Sequence, residues 1–338
     1  MNNDIFDFSE KSFVNVADIL PRDGSADVSD TLQRIIDTNP NRTIYFPDGT
    51  YLLTKPICTP ADPKKSVSLQ LSKYAVIKAS DDWSSEEALV RLGGKDAFND
   101  IYTNGSNYSF VGGIVDGNGR ANGISIDSGR ETLIRDVSIK HTRIGIHIKR
   151  GANNGSSDAD IMNVNIVGTG DTSSKGVLVE GWDNTFTNMR IAKVFIGVDL
   201  RTAGNFLRNI HPLYVSDYED YENSCAFRDL DGGNFYNNCY SDQFGTGFCM
   251  LESRRSVFDS CFCFWYSPKA GRHTAFRACK KFCSVLTNFN SGFRSDTENI
   301  LLDVGEEGGN GIFNNLLVNP DLLSDDRYKK YLRGEIIG

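Results

Sequence analysis

No apolar run in the chain approaches the ~20 residues that a membrane-spanning helix requires, so no membrane partner is expected. The opening, "MNNDIFDFSEKSF", has neither the basic stretch nor the apolar core of a secretory leader, and no signal peptide is read there. Positive charge is scarce: 36 Lys and Arg stand against 44 Asp and Glu, a net charge of −8. A protein that grips phosphate backbones needs a basic face, so nucleic acid is not an expected partner. Among eight cysteines there is no CxxC pair, and Cys261-x-Cys263 lacks zinc-ligand spacing. His141, His147 and His273 also fall outside metal-ligand spacing, so neither a metal nor a cofactor is expected. The cysteines read instead as buried thiols in a reduced compartment.

What is abundant is Gly (32), Phe (21) and Tyr (13), a usage suited to short strands and many turns. The strands repeat. "SFVGGIVDG" (109–117), "TLIRDVSIKH" (132–141), "ADIMNVNIVG" (159–168), "NTFTNMRIAK" (184–193) and "NFLRNIHPLY" (205–214) align with one another. The series continues through "NFYNNCYSDQ" (234–243), "SVFDSCFCFW" (256–265), "SVLTNFNSGF" (284–293) and "GIFNNLLVNP" (311–320). One column reads Asp136, Asn163, Asn188, Asn209, Asn238, Ser260, Asn288 and Asn315; the next is apolar throughout, from Val137 to Leu316. A second strand follows each: "GISID" (123–127), "GIHIK" (145–149), "GVLVE" (176–180), "GVDLR" (197–201), "CAFRD" (225–229) and "GFCML" (247–251).

Repeats of 21 to 29 residues with alternating side chains describe coils that bury their apolar faces against their neighbours, a parallel β-helix. The asparagine column is expected at a sharp bend, with inward amides bonding free backbone groups and the next coil. Cys239, Cys261 and Cys263 are expected to point inward. Residues 28–37, "VSDTLQRIID", place Leu32, Ile35 and Ile36 at helical spacing and predict a helix over the first coil. It covers an edge that would otherwise invite aggregation. The tail "SDDRYKKYLRGEIIG" is expected to add a short terminal helix. No composition shift divides the chain, so one domain is expected: 1–60 as cap and first strands, 61–320 as coils, 321–338 as tail.

The segment "FVNVADILPRDGSADVSDTLQRIIDTNPNRTIYFPDGTYLLTKPI" (13–57) resembles the opening of pectate-lyase-superfamily proteins. The matching pieces are Asp23-Gly24, Asp30-Thr31, Ile36-Asp37 and "YFPDGTYLL" (45–53). The resemblance implies an all-β, single-stranded, right-handed parallel β-helix, shared by polygalacturonase-like enzymes and phage tailspikes, with carbohydrate as the substrate class. It also implies a homotrimer, for which outward Phe262 and Phe264 are the interface candidates, and a cytoplasmic or phage-associated location. The Gly-His-Gly signature of polygalacturonases is absent. "NIHPLYV…NSCAFRDLDGGNFYNNCYSDQFGTGF" further resembles tailspike-like and gut-bacterial β-helix proteins, in which a His-Pro-aromatic stretch precedes a Tyr-x-Asp.

Alternation then selects the outward side chains. Arg190, His211 and Tyr240 are expected in one row, roughly 4.8 Å apart per coil, with Asp242 beside it. Next to the row, "YVSDYEDYENS" (214–224) supplies Asp217, Glu219 and Asp220. Most glycosidases work with two carboxyls, one acid and one base or nucleophile. Asp242 with Asp217 or Glu219 is the preferred pair, His211 an accessory catalytic residue, and Asp220 and Asp229 are reserves. Trp265, Tyr266 and Trp182 are candidate platforms for sugar faces. The reading is a glycoside hydrolase or fructotransferase-like enzyme acting on an oligo- or polysaccharide. A polysaccharide lyase and a non-catalytic tailspike-like glycan binder are the alternatives.

Overall fold

The computed structural model describes residues 11–95, 108–150, 156–215, 220–266, 271–293, 298–305, 308–317 and 330–337. These fall into two compact units, 1–169 with 180–184, and 170–179 with 185–338. Both are made of right-handed parallel β-helix coils. No described helix is long and apolar enough to cross a membrane.

In the first unit one wall runs in parallel register from Ile57–Pro60 through Ala88–Lys95 and Asn122–Ile126 to Ile144–Ile148. The predicted helix spans Ser29–Thr38, with Leu32, Ile35 and Ile36 fully buried. Its Gln33 imitates a neighbouring strand. The Gln33 amide donates to Cys58 O at 2.9 Å, and Cys58 N donates to Gln33 Oε1 at 2.7 Å. The edge strand Ile57–Pro60 thus finds its partner in a helix side chain, as edge protection requires.

In the second unit the corresponding wall is Lys175–Val179, Ile196–Leu200, Cys225–Asp229, Thr246–Met250, Arg272–Ala278 and Glu298–Val304. Equal positions stack coil upon coil. Phe227 lies on Phe248 at 4.7 Å and Tyr236 on Phe258 at 4.4 Å, both pairs nearly coplanar. Such stacks are how a coil buries an apolar face that it cannot bury alone.

The asparagine column does sit at a bend, but its side chains point outward. Asp136, Asn163, Asn188, Asn209, Asn238, Ser260 and Asn288 all have φ between 50° and 58°, and all are exposed. Asn and Asp tolerate this left-handed conformation better than other residues with a side chain. Turned outward, they still reach along the stack: Asn163 donates to Asp136 Oδ1 at 2.9 Å, and Asn209 donates to Asn188. The apolar column behind them, including Val137, Ile210, Cys239, Cys261 and Phe289, is at most 1% exposed.

The buried amide ladder lies elsewhere, at Asn205 and Asn234 ahead of the strands. Asn205 N donates to Asn234 Oδ1 at 2.9 Å, and Asn234 N to Ser256 Oγ at 3.2 Å. The thiols divide as well. Cys239, Cys261 and Cys263 are buried as expected, but Cys279 is exposed and Cys58 and Cys283 are half-buried. At the C-terminal end, Leu332–Ile337 is a strand paired in parallel with Ile312–Leu317, where a helix was expected.

Candidate functional site

The strand Tyr240–Asp242 lies between two left-handed residues, Asn238 (φ 52°) and Gln243 (φ 66°). These bends and the strand alternation put Cys239 and Ser241 inside, and Tyr240 and Asp242 on the outer face. Register then builds the row. Arg190 pairs with His211, Leu213 with Asp242, and Tyr240 with Phe262. The His211 and Tyr240 rings stack at 4.3 Å with 17° between planes. The aromatic run continues from Tyr240 to Phe262 (5.1 Å), Phe264 (5.7 Å) and Tyr266 (6.0 Å).

Asp242 holds the centre of this surface and is only 7% exposed. Its Oδ2 is 3.4 Å from His211 Nε2, while its buried Oδ1 has no hydrogen-bond partner. A buried carboxylate oxygen without a donor costs about 1–3 kcal/mol or more, so it has capacity left for a ligand hydroxyl or a water. Beside it, burial first, then the Asp242 charge and a hydrogen bond to that carboxylate, push the Tyr240 hydroxyl up to about 12. Tyr240 therefore keeps its proton at neutral pH and remains a donor.

The family model described as rhamnogalacturonase A/epimerase, pectate lyase-like, matches residues 13–91. That part of the chain is thus similar to pectate lyase-like proteins. No curated protein matches the chain by sequence. Among solved structures, a double mutant of the tailspike protein of E. coli bacteriophage HK620 superposes with a TM-score of 0.71 at 12% identity, covering 92% of this chain and 64% of that one. The same tailspike in complex with a pentasaccharide gives 0.70 at 12% identity, with the same coverage. The Agl-KA catalytic domain gives 0.58 at 12% identity, over 96% of this chain and 67% of that one. This chain therefore spans 64% of the length of the tailspike chains it matches, and identity this low speaks to the fold alone.

Within the β-helix the remaining expected residues separate. Arg190 is exposed at one end of the row, and Tyr266, 54% exposed, is an open platform at the other. Trp265 is not a platform. It is 1% exposed, donates from Nε1 to Phe244 O at 2.7 Å, and stacks on Phe293 at 4.7 Å. Strand parity explains the difference, since Trp265 follows outward Phe264 and turns into the core. Trp182 belongs to the first unit, where the Arg150 guanidinium lies 5.3 Å over its ring.

Asp229 is likewise internal, at 1% exposure. It accepts from Gly232 N (2.7 Å), Tyr236 OH (2.9 Å), Asn234 Nδ2 (3.0 Å) and Ser256 Oγ (3.2 Å). Burial pushes its pKa up despite these donors. Its work is to hold a turn, and no substrate can reach it. Asp220 is exposed and accepts from Asn223 Nδ2 beside the short 3-10 helix Tyr221–Asn223. Asp217 and Glu219 lie outside the described residues.

Phe262 and Phe264, expected as exposed interface residues, are half-buried members of the aromatic row. Sequence reasoning missed Gly292, opposite Phe264 in the next coil. A Cβ there would stand 2.8 Å from the Phe264 ring, so only glycine lets that ring lie flat against the neighbouring coil. Carrying the outward columns one coil further, to Asn290 and Gly292, would have revealed it.

Proposed function

We propose that the chain is a carbohydrate-active enzyme that cleaves or rearranges glycosidic bonds of an oligo- or polysaccharide, with Asp242 as its central carboxyl group. The carrying observation is the buried Asp242 Oδ1 that has no donor, set beside a protonated tyrosine and a histidine on the outer face. In this reading the oxygen meets a sugar hydroxyl or the glycosidic oxygen, directly or through water. Asp242 acts as general acid or base, the group most glycosidases require. His211 positions the carboxylate through Oδ2. Tyr240 donates a hydrogen bond to substrate, and Arg190 and Tyr266 bind at the two ends of the row. Asp217 or Glu219 supplies the second carboxyl, with Asp220 in reserve.

The solved tailspike carries a pentasaccharide and comes from a bacteriophage, which supports a glycan partner and a phage-associated setting for this chain. Two variants share the site. A fructotransferase-like enzyme would pass the glycosyl group to a second sugar, and a lyase would release an unsaturated uronate that absorbs in the ultraviolet. A tailspike-like binder without turnover is the second reading, supported by the tailspike solved with a bound pentasaccharide.

The test is Asp242→Asn assayed on a glycan panel. Turnover should fall about 10²–10⁴-fold with the melting temperature kept. Full activity in the variant removes Asp242 from the chemistry. Oligosaccharide retained by the unmodified chain without any cleavage supports the binder.

A further inference from the structure

In the second unit, the strands Phe206–Leu213, Phe235–Asn237, Val257–Asp259, Val285–Thr287 and Ile312–Leu317 carry an apolar stripe apart from the Asp242 surface. Phe206, Phe235, Val257, Val285 and Ile312 stand in parallel register on five successive coils, a line of roughly 20 Å. Phe206 is 48% and Phe235 43% exposed, and the three aliphatic residues are half-buried. Apolar side chains gathered in this way on a surface mark a contact with another macromolecule. The rings do not suit a sugar. They lie on each other at 4.7 Å with 6° between planes, so they present edges and not open faces. Beside the stripe runs a polar column, Arg208, Asn237, Asp259 and Thr287, also in register. Arg208 is exposed and has no anionic partner among the described residues. Asp259, two coils on, accepts from Asn237 Nδ2 at 2.9 Å and has no cation beside it among those residues.

We propose that this stripe is an interface with a second copy of the chain, related by a two-fold axis perpendicular to the coil stack, so that the two stripes run antiparallel. The order of residues along the stripe selects that partner. One end is bulky, with two phenyl rings, and the next two levels are small, with two valines. Turned end for end, a second copy lays its Val257 and Val285 against Phe235 and Phe206, and the rings fill the room that the valines leave. The same rotation brings Arg208 within one coil, about 4.8 Å, of Asp259 on the second copy, an offset that the long arginine side chain spans. Every contact then occurs twice, as a self-complementary two-fold interface requires. An axis parallel to the stack would set equal levels opposite one another, with Arg208 facing Arg208 and rings facing rings. Asn209 and Asn238 turn the chain between this wall and the one that bears Asp242, so the pairing does not use the Asp242 surface.

The experiment is sedimentation equilibrium of the full chain over about 1–200 µM, with a thermal melt of every variant. A reversible monomer–dimer equilibrium is expected, and Phe235→Ser should weaken it at least ~tenfold. Arg208→Asp and Asp259→Arg should each weaken it as well, because each sets like charges together at both copies of the contact. An equimolar mixture of those two variants should pair again, since every contact in the mixed dimer joins an Asp to an Arg. Phe235 and Arg208 are exposed, so their variants should keep the melting temperature of the unmodified chain. Asp259 also holds Asn237, and Arg208→Gln gives a reading that does not need the Asp259 variant: it should weaken pairing less than Arg208→Asp does. A monomer at all concentrations overturns the proposal, as does a trimer, or a dimer that Phe235→Ser leaves unchanged. A mixture of folded variants that stays monomeric overturns the antiparallel arrangement, and so do equal effects of Arg208→Gln and Arg208→Asp.

Discussion

Asn205 and Asn234 are fully buried, whereas Asn209 and Asn238, four positions further along the same coils, are exposed. Both pairs form ladders, yet the chemistry asked of each is different. The inner pair replaces water for backbone groups that have lost it, including the turn held by Asp229. The outer pair supplies a backbone angle, and its side-chain bond is secondary, at 3.5 Å between Asn238 Nδ2 and Asn209 Oδ1. The aspartates follow the same division. Inner Asp229 has a raised pKa because burial outweighs its hydrogen bonds. Outer Asp199 is also buried, but side-chain bonds from Arg228 and Lys175, both at 2.7 Å, outweigh burial and hold its pKa down. Burial alone does not set the charge; the available donors do.

The comparison is broken most severely on the inner side. Asn234→Ala removes donors from Thr202 O and from both oxygens of Asp229, leaving a buried carboxylate short of partners. A loss of about 4 kcal/mol is expected, measured by urea unfolding. If the variant unfolds within about 1 kcal/mol of the unmodified chain, the inner ladder is not structural.

The two aspartates come next, and their pH dependences have opposite sign. Asp199 is held below its unfolded value, so its stabilisation is present above that value and lost as pH falls through the folded pKa. The cost of Asp199→Asn, about 3 kcal/mol at neutral pH, should therefore shrink in acid. Asp229 is raised, so its relative contribution is present below the unfolded value and lost as pH rises through the folded one. The cost of Asp229→Asn should shrink as pH rises. Melting curves across the acid range check both, and parallel slopes would show that the two environments do not differ.

The outer ladder should respond least. Asn209→Ala keeps φ near 55° with a side chain that resists it, at about 1–2 kcal/mol. Asn209→Gly relieves the angle and should stay within about 0.5 kcal/mol, read by thermal melting. Equal costs for the two would mean that the side-chain bond, and not the angle, holds the bend.

This explains how far the sequence could be read. Alignment of the asparagine column located one series of bends, from Asp136 to Asn288, because a left-handed residue recurs there on each coil. It did not show the left-handed His141, Lys193 and Gln243, and Asn315 lies within the strand Ile312–Leu317. The second strands came out within one residue, as at 123–127 against Asn122–Ile126. What the column could not show was which way its side chains point, since an exposed amide and a buried one leave the same letter. The inner ladder was harder to see: its positions read Asn205, Asn234, Ser256 and Ser284, a mixture that any small polar residue can satisfy. At the candidate site, parity correctly aimed Arg190, His211, Tyr240 and Asp242 outward. Parity carries no information about depth, and so missed that Asp242 is nearly covered. Trp265 failed for a related reason. A large aromatic at a strand end reads as a platform until the alternation is carried one residue past the strand.

Gln33 has a consequence for assembly. A parallel stack of coils is a template, and any chain with spare donors and acceptors can continue it. By occupying both Cys58 N and Cys58 O, one glutamine side chain turns that growing point into a stop. A bare edge at Ile57–Pro60 would be open to a further strand, so a single amide carried on a helix closes this edge of the first unit.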